Sequence, residues 1–246
     1  MRTGQLLIVF CVLQALSAVS AARPLVFGTF PIPLMVESEQ QGIFIDLTRA
    51  LAAEAGLDIH ITVFPAKRAL SEFEQGNLDG LFPALSVTMP VAYERSLSIY
   101  SKDDFAFTLK GQPVLSTPEQ LQRKRVGITA GYPYSPLLTG QPGIQFMSAN
   151  TDIQNVQMLL AGRIDVFVVE EHSGLRALEQ AGAVSRVQYD PARPLSRQDT
   201  FYAFRADQEG RILAGQINAA LQRLQDSGTL ANIMARRPHA GAQDHD

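Results

Sequence analysis

The sequence contains one cysteine, Cys11, and it lies inside the apolar run that opens the chain. The preceding Ile8-Val9-Phe10 does not suit lipid attachment, which needs a leucine followed by small residues before the cysteine. Once the opening run is removed, the chain has no thiol and can form no disulfide. A hydrophobic core must therefore hold the fold together, although an exported protein would be free to use disulfides.

An excess of charge of one sign is also missing. The chain has 21 Lys and Arg against 24 Asp and Glu, a net charge of -3. This balance gives no electrostatic footprint for nucleic acid. The basic Arg123-Lys124-Arg125 is interpreted as a solvated turn, and we expect no nucleic-acid partner.

Familiar catalytic motifs are missing as well. The sequence has no Gly-x-Ser-x-Gly, no His-Glu-x-x-His and no phosphate-binding loop. Its histidines are too scattered for a metal site, since His60 lies in a predicted strand, His239 and His245 in the tail, and His172 beside two acids. We therefore expect no metal, no cofactor and no catalysis.

The first residues have the pattern of a secretory signal peptide, which we place at 1–22. Met1-Arg2 is cationic, an apolar run follows from Leu6 to Leu16, and small residues occupy 19–22. The alternative is a buried N-terminal helix. No later run approaches the apolar length of a membrane helix, so we expect a mature periplasmic chain that begins near residue 22 or 23.

After this segment, β-like runs alternate with helical patterns, which indicates an α/β fold with largely parallel sheets. The predicted strands and helices are, in order, Leu25–Gly28, Ile43–Glu54, Ile59–Phe64, Ala66–Glu74, Leu78–Leu81, Arg125–Ile128, Ile153–Leu160, Ile164–Val169 and a helical region at 208–237 broken at Gly228.

The same unit occurs twice, which suggests two similar lobes. Residues 74–80 and 160–166 share the order helix, Gly, any residue, apolar residue, Asp, strand. We expect crossovers between the lobes near 105–113 and 188–194. The predicted limits are 23–107 with 195–237 for lobe 1, 108–194 for lobe 2, and a frayed tail at 238–246.

The order of these motifs resembles family 3 of the bacterial extracellular solute-binding proteins, the receptors of polar amino-acid ABC importers. The stretches that carry the resemblance are Gly42–Leu47, Gly76–Gly80 with Glu94-Arg95 and Tyr100-Ser101, Pro118–Ile128 with Gly131, Gly162–Asp165 with Glu170, and Ala219–Ile233.

The resemblance implies a two-lobed periplasmic-binding-protein-like fold of type II. Two strand crossovers join the lobes, and a ligand cleft between them closes by a hinge. It also implies a small polar ligand, an amino acid or a relative, with a membrane permease as partner and a monomeric receptor.

By the same resemblance, Arg95 would hold a ligand carboxylate and Glu170 an ammonium group. Arg95 departs from the family's register, and the alternative is a surface arginine paired with Glu94 or Asp103. Glu171 is the alternative to Glu170. Weaker ligand-binding candidates are Arg68 as a second cation, Ser86 and Thr88 as loop donors, and Phe30, Tyr132 and Tyr134 as aromatic walls; Asp46, Asp79 and Asp165 are interpreted as structural caps.

Two other functions stay open at this point. A sensory receptor would use the same cleft but pass ligand occupancy to a membrane signalling partner. A periplasmic enzyme resembling cyclohexadienyl dehydratase would use cleft carboxylates for acid–base chemistry on the same fold. The stacking aromatic that many amino-acid receptors carry before Pro33 is not evident, which leaves the ligand open.

Overall fold

The structure is a computed structural model that describes residues 23–235. The expected signal peptide, 1–22, and the expected tail, 238–246, lie outside the described residues. The strands are β1 (Leu25–Thr29), β2 (Ile59–Val63), β3 (Gly80–Ala84), β4 (Tyr93–Arg95), β5 (Tyr100–Leu109), β6 (Arg125–Thr129), β7 (Gln145–Ala149), β8 (Val166–Glu170), β9 (Val187–Gln188) and β10 (Ser196–Arg205). The helices are α1 (Ile43–Ala55), α2 (Ala66–Glu74), α3 (Pro136–Thr139), α4 (Asp152–Leu160), α5 (Glu171–Gln180), α6 (Gln208–Asp226) and α7 (Thr229–Met234).

The strands form one continuous sheet with two similar halves. The strand order is β2-β1-β3-β10-β5-β8-β6-β7, with β4 paired to β10 and β9 to β5. In the first half β1 lies between β2 and β3, and in the second half β6 lies between β7 and β8, all in parallel. Each parallel set ends on a long antiparallel strand, which confirms the repeat expected from the sequence.

The two long strands, β5 and β10, join the halves. Residues 196–200 of β10 pair with 100–104 of β5, and each strand then continues into one half. Residues 201–204 of β10 pair with β3, whereas residues 104–107 of β5 pair with β8. The paired stretches, 100–104 and 196–200, lie beside the expected crossovers at 105–113 and 188–194 and outside them. The sequence did not mark these stretches because their polar residues hide the strand pattern. The lobe limits stay predictions.

Successive side chains of a strand point to opposite faces of the sheet, and helices bury both faces. In β10, Tyr202 and Phe204 belong to the cluster built with α1 and α6, while Phe201 and Ala203 belong to the cluster built with α2. The second half repeats this arrangement, with α4 and α5 covering one face and α3 with its neighbouring loops the other. Each fully buried phenylalanine contributes about 2 to 3 kcal/mol.

Asp79 and Asp165 have matching structural roles in the two halves. The carboxylate of Asp79 accepts the Val26 N–H at 2.8 Å and pairs with Arg23. The carboxylate of Asp165 accepts the Arg125 N–H at 2.8 Å and pairs with the side chain of the same arginine. Each aspartate therefore fixes the start of the parallel strand beside it, as the cap interpretation expects.

Among the described helices, none has the length and apolar content needed to cross a membrane.

Candidate functional site

Several of the candidate ligand residues lie where parallel strands end. In the first half, Phe30 follows β1 and Ser86 follows β3; in the second half, Glu170 closes β8 and the loop from Ala130 follows β6. The carboxyl ends of parallel strands meet at one edge of a sheet, and α/β proteins bind ligands there. The fold thus gives both halves a possible binding edge.

The Glu170 carboxylate at this edge is held by three contacts within the protein. It caps the N-terminus of α5, where its Oε2 accepts the Ser173 N–H at 3.0 Å. Its Oε1 accepts the Tyr100 hydroxyl at 2.9 Å and lies 2.9 Å from His172 Nδ1. Tyr100 belongs to the long strand β5, so Glu170 connects the second half to the strand that joins the halves.

Glu170 stays ionised in this setting. Burial acts to raise its pKa, but His172, the Ser173 N–H and Tyr100 outweigh burial and lower the pKa from 4.5 to about 2. Burial and the same carboxylate raise the pKa of Tyr100, so its hydroxyl remains protonated and donates. With its side chain only 13% exposed, Glu170 is a largely buried anion at neutral pH.

A second acid, Asp152, is the first residue of α4 in the second half. Its carboxylate accepts hydrogen bonds from the hydroxyls of Thr129 and Tyr132, the latter at 2.9 Å. Burial, reinforced by the nearby Glu170, raises the pKa of Asp152 despite these bonds. The sequence reasoning missed Asp152; its signal is an acid in the first helical turn after a strand.

A cavity of about 460 Å³ lies between the two halves beside these residues. The first half contributes Val87 and Thr88, and the second half contributes most of the wall. The lining residues are Val87, Thr88, Ile128, Thr129, Ala130, Gly131, Tyr132, Pro133, Tyr134, Pro136, Thr139 and Ser148. Thr88, Tyr132 and Tyr134, three of the candidates from the sequence, thus meet at one cavity.

The loop that forms this wall contacts the joining strands. Gln198 of β10 donates from Nε2 to the Pro133 carbonyl at 2.9 Å. Lys102 of β5 lies 5.5 Å from the centre of the Tyr134 ring and forms an ion pair with the buried Asp104. The Tyr134 hydroxyl is fixed in the core, where it accepts the Thr129 N–H and donates to the Val168 carbonyl.

The two candidate arginines are both exposed. The Arg95 guanidinium lies 5.3 Å from the centre of the Phe201 ring, and the β4–β10 pairing positions its backbone. Arg68 lies 5.5 Å from the centre of the Phe64 ring and forms an ion pair with Glu72 at 3.2 Å. Among the hydrogen bonds and ion pairs of residues 23–235, neither arginine is paired with Glu170, and their roles toward a ligand stay predictions.

The remaining candidates have local contacts. Ser86 accepts the Tyr93 hydroxyl at 3.0 Å, and Phe30 packs half-buried against the cluster under α2. Glu171 accepts the Tyr189 hydroxyl at 2.7 Å. Within residues 23–235, no group of three or more His, Cys, Asp and Glu side chains is placed to hold a metal.

The fold and the edge site define a two-lobed α/β protein with a ligand cleft between its halves. Residues 28–236 match the bacterial extracellular solute-binding proteins, family 3. The chain belongs to this family, and its role is therefore solute binding. A comparison with curated proteins found no match.

Solved structures share this fold. The ligand-binding core of GluR0 from Nostoc punctiforme, in complex with L-glutamate, has a TM-score of 0.66 at 20% identity and covers 85% of this chain and 97% of its own. A histidine kinase sensor domain similar to periplasmic binding proteins has a TM-score of 0.67 at 19% identity, covering 87% and 95%. The arginine-, lysine-, histidine-binding protein ArtJ from Geobacillus stearothermophilus has 0.63 at 17%, covering 86% and 94%. These similarities establish the type II periplasmic-binding fold.

Proposed function

We propose that this protein is a periplasmic receptor that captures a small amino-acid-like molecule for a membrane permease of an ABC importer. The observation that carries the proposal is Glu170, an ionised and largely buried carboxylate at the carboxyl end of β8. A carboxylate offers about four acceptor positions. The contacts with Tyr100, His172 and Ser173 use three of them, which leaves one for a ligand ammonium group.

A zwitterion also needs a partner for its carboxylate. Transferring it from water removes hydration at both charged ends, and unpaired ends would make binding unfavourable. Arg95 is the first candidate for this partner and Arg68 the second, because a guanidinium can bind a carboxylate through two hydrogen bonds. Ser86, Thr88 and Phe30 would complete the first-half wall, and Tyr132 and Tyr134 the second-half wall.

The experiment is a thermal-shift screen of the purified mature chain against amino acids, polyamines, small organic acids and opines. A ligand at 100 times its dissociation constant stabilises a protein by about 2.7 kcal/mol. We expect a small set of amine-bearing compounds to raise the melting temperature of a monomer. A screen in which no compound shifts the melting temperature would count against the proposal.

A sensory role is the second candidate, because the fold is shared with a histidine kinase sensor domain over most of both chains. Both roles predict ligand binding, so the screen cannot separate them. The neighbouring genes can: a permease and an ATPase beside this gene favour import, whereas a lone sensor kinase favours signalling.

A further inference from the structure

The sheet has two edge strands, β2 in the first half and β7 in the second, and the two edges differ in their cover. At the β2 edge, the Val63 N–H donates to the Glu39 side chain at 3.4 Å, and Arg49 holds the turn that carries Glu39. Within residues 23–235, β7 pairs with β6 alone, and no side chain bonds to the backbone of its outer side. The β7 edge is therefore open.

The open edge presents the backbone groups of Phe146 and Ser148. The Ala149 carbonyl accepts the Ala130 N–H at 2.9 Å, which shows that Ala149 bonds toward β6. Because successive residues of a strand direct their backbone groups to opposite sides, residues 145 and 147 also face β6, whereas 146 and 148 face outward. Natural edges are usually protected by charge or proline, and β7 contains neither.

A groove of about 540 Å³ lies beside this edge, between β7 and α4. We call it the edge groove. Its strand side is residues 148–150, and its helix side is Gln154, Gln157, Met158 and Ala161, which share one face of the helix. This face extends about 10 Å, since a helix rises 1.5 Å per residue. Three residues of extended chain span the same length, so a short strand fits beside β7.

The edge groove has one charged side chain in its lining, the exposed Arg163 just after α4. Within residues 23–235, the Arg163 guanidinium forms no hydrogen bond and no ion pair. The neighbouring Asp165 is paired with Arg125, and Asp152 accepts two hydroxyls that belong to the cavity between the halves. The groove therefore offers an unpaired cation to whatever enters it.

This charge decides between two kinds of occupant. A second copy of the chain would bring its own Arg163 to the contact, because a two-fold interface repeats the same surface on both sides. Like charges oppose such a pairing. An acidic segment of a different protein would complement the groove instead.

We infer that the β7 edge binds an extended segment of a partner protein, which adds to β7 as a strand and places an Asp or Glu side chain beside Arg163. Backbone hydrogen bonds with Phe146 and Ser148 would provide affinity, and the edge groove would provide selectivity. Ser148 borders both this groove and the cavity between the halves, but the inference does not depend on what that cavity binds.

Two blocked peptides test the inference at millimolar concentration by NMR with the mature chain. The acidic probe is Glu-Thr-Val-Thr-Val-Thr-Glu, whose two acids allow either strand direction, and the neutral probe has Gln in place of both. We expect the acidic probe to slow amide exchange at Phe146 and Ser148 and to bind about twofold to fivefold more tightly than the neutral one. No slowing at these two amides would overturn the inference. Slowing without any peptide, in a dimer of the chain, would overturn the assigned partner.

A pair of arginine variants tests the charge. Arg163→Gln should remove the preference for the acidic probe. Arg176→Gln is the matched control and should keep it, because Arg176 is also exposed and without an ion pair within residues 23–235, but lies on α5 outside the groove. An equal effect of both variants would contradict the role of Arg163.

Ser148→Pro tests the backbone pairing. It removes an outward N–H and leaves the bonds to β6 in place, so the acidic probe should no longer protect Phe146. Probes N-methylated on alternate residues repeat the test on the parent chain. One of the two alternations should bind and the other should not; equal binding of both would exclude strand addition.

Discussion

Glu170→Gln should destabilise the folded protein at neutral pH even without a ligand. The substitution keeps the size of the side chain but removes the charge that Tyr100, His172 and the Ser173 N–H stabilise. The fall of the Glu170 pKa from 4.5 to about 2 corresponds to about 3 kcal/mol of folding stability. We expect a loss of that order at pH 7.

The pH dependence gives this prediction its sign. Because the folded pKa of Glu170 is below the unfolded value, its stabilisation is fully present above 4.5 and is lost as the pH falls toward 2. Between pH 7 and pH 3, about 2 kcal/mol of the difference between parent and Glu170→Gln should therefore disappear.

Urea unfolding at several pH values measures this difference. Glu171→Gln is the matched control, because Glu171 is the next residue and has one described hydrogen bond, from Tyr189; it should lose less stability at pH 7. A Glu170→Gln variant as stable as the parent at pH 7, or a difference that does not shrink in acid, would refute the assigned ionisation.

Two further predictions concern the core and the ligand carboxylate. Gly210→Ala should destabilise the fold by about 1 to 3 kcal/mol in thermal unfolding, because a Cβ there would lie 1.9 Å from the Arg205 carbonyl oxygen; Gly215→Ala in the same helix meets nothing within 4 Å and should stabilise by up to about 1 kcal/mol. Arg95→Ala should weaken binding of the best ligand about tenfold to a hundredfold or more, as measured by calorimetry. Arg68→Ala should bind it about as tightly as the parent. The reverse result would give the carboxylate role to Arg68.

Much of the first half could be predicted from sequence because its signals are local. The periodicity of α1 and α2 predicts both helices to within one residue at each end, and Gly56, at φ 65°, ends α1 where the pattern does. The expected strand Leu78–Leu81 begins two residues early, because Leu78 packs into the core and Asp79 holds β1 before β3 begins.

The joining strands and the site could be predicted only in part, because they depend on distant pairings. The first half of β10 is polar and pairs with an equally polar part of β5, so no apolar alternation marks it. The hydrogen bond between Tyr100 and Glu170 joins residues 70 positions apart. Glu170 itself was identified through the family resemblance, at the end of an apolar strand, whereas Asp152 follows a mixed strand.

The central claim is that Glu170 binds the ammonium group of the ligand, and a double comparison by calorimetry tests it most directly. The best ligand and its analogue with a hydroxyl in place of the amine are each titrated into the parent and into Glu170→Gln. A charge-assisted hydrogen bond is worth about 1.5 to 3 kcal/mol, so removing the amine should weaken binding to the parent about tenfold to a hundredfold or more. The same change should matter little in Glu170→Gln. An equal loss in both proteins would contradict the account.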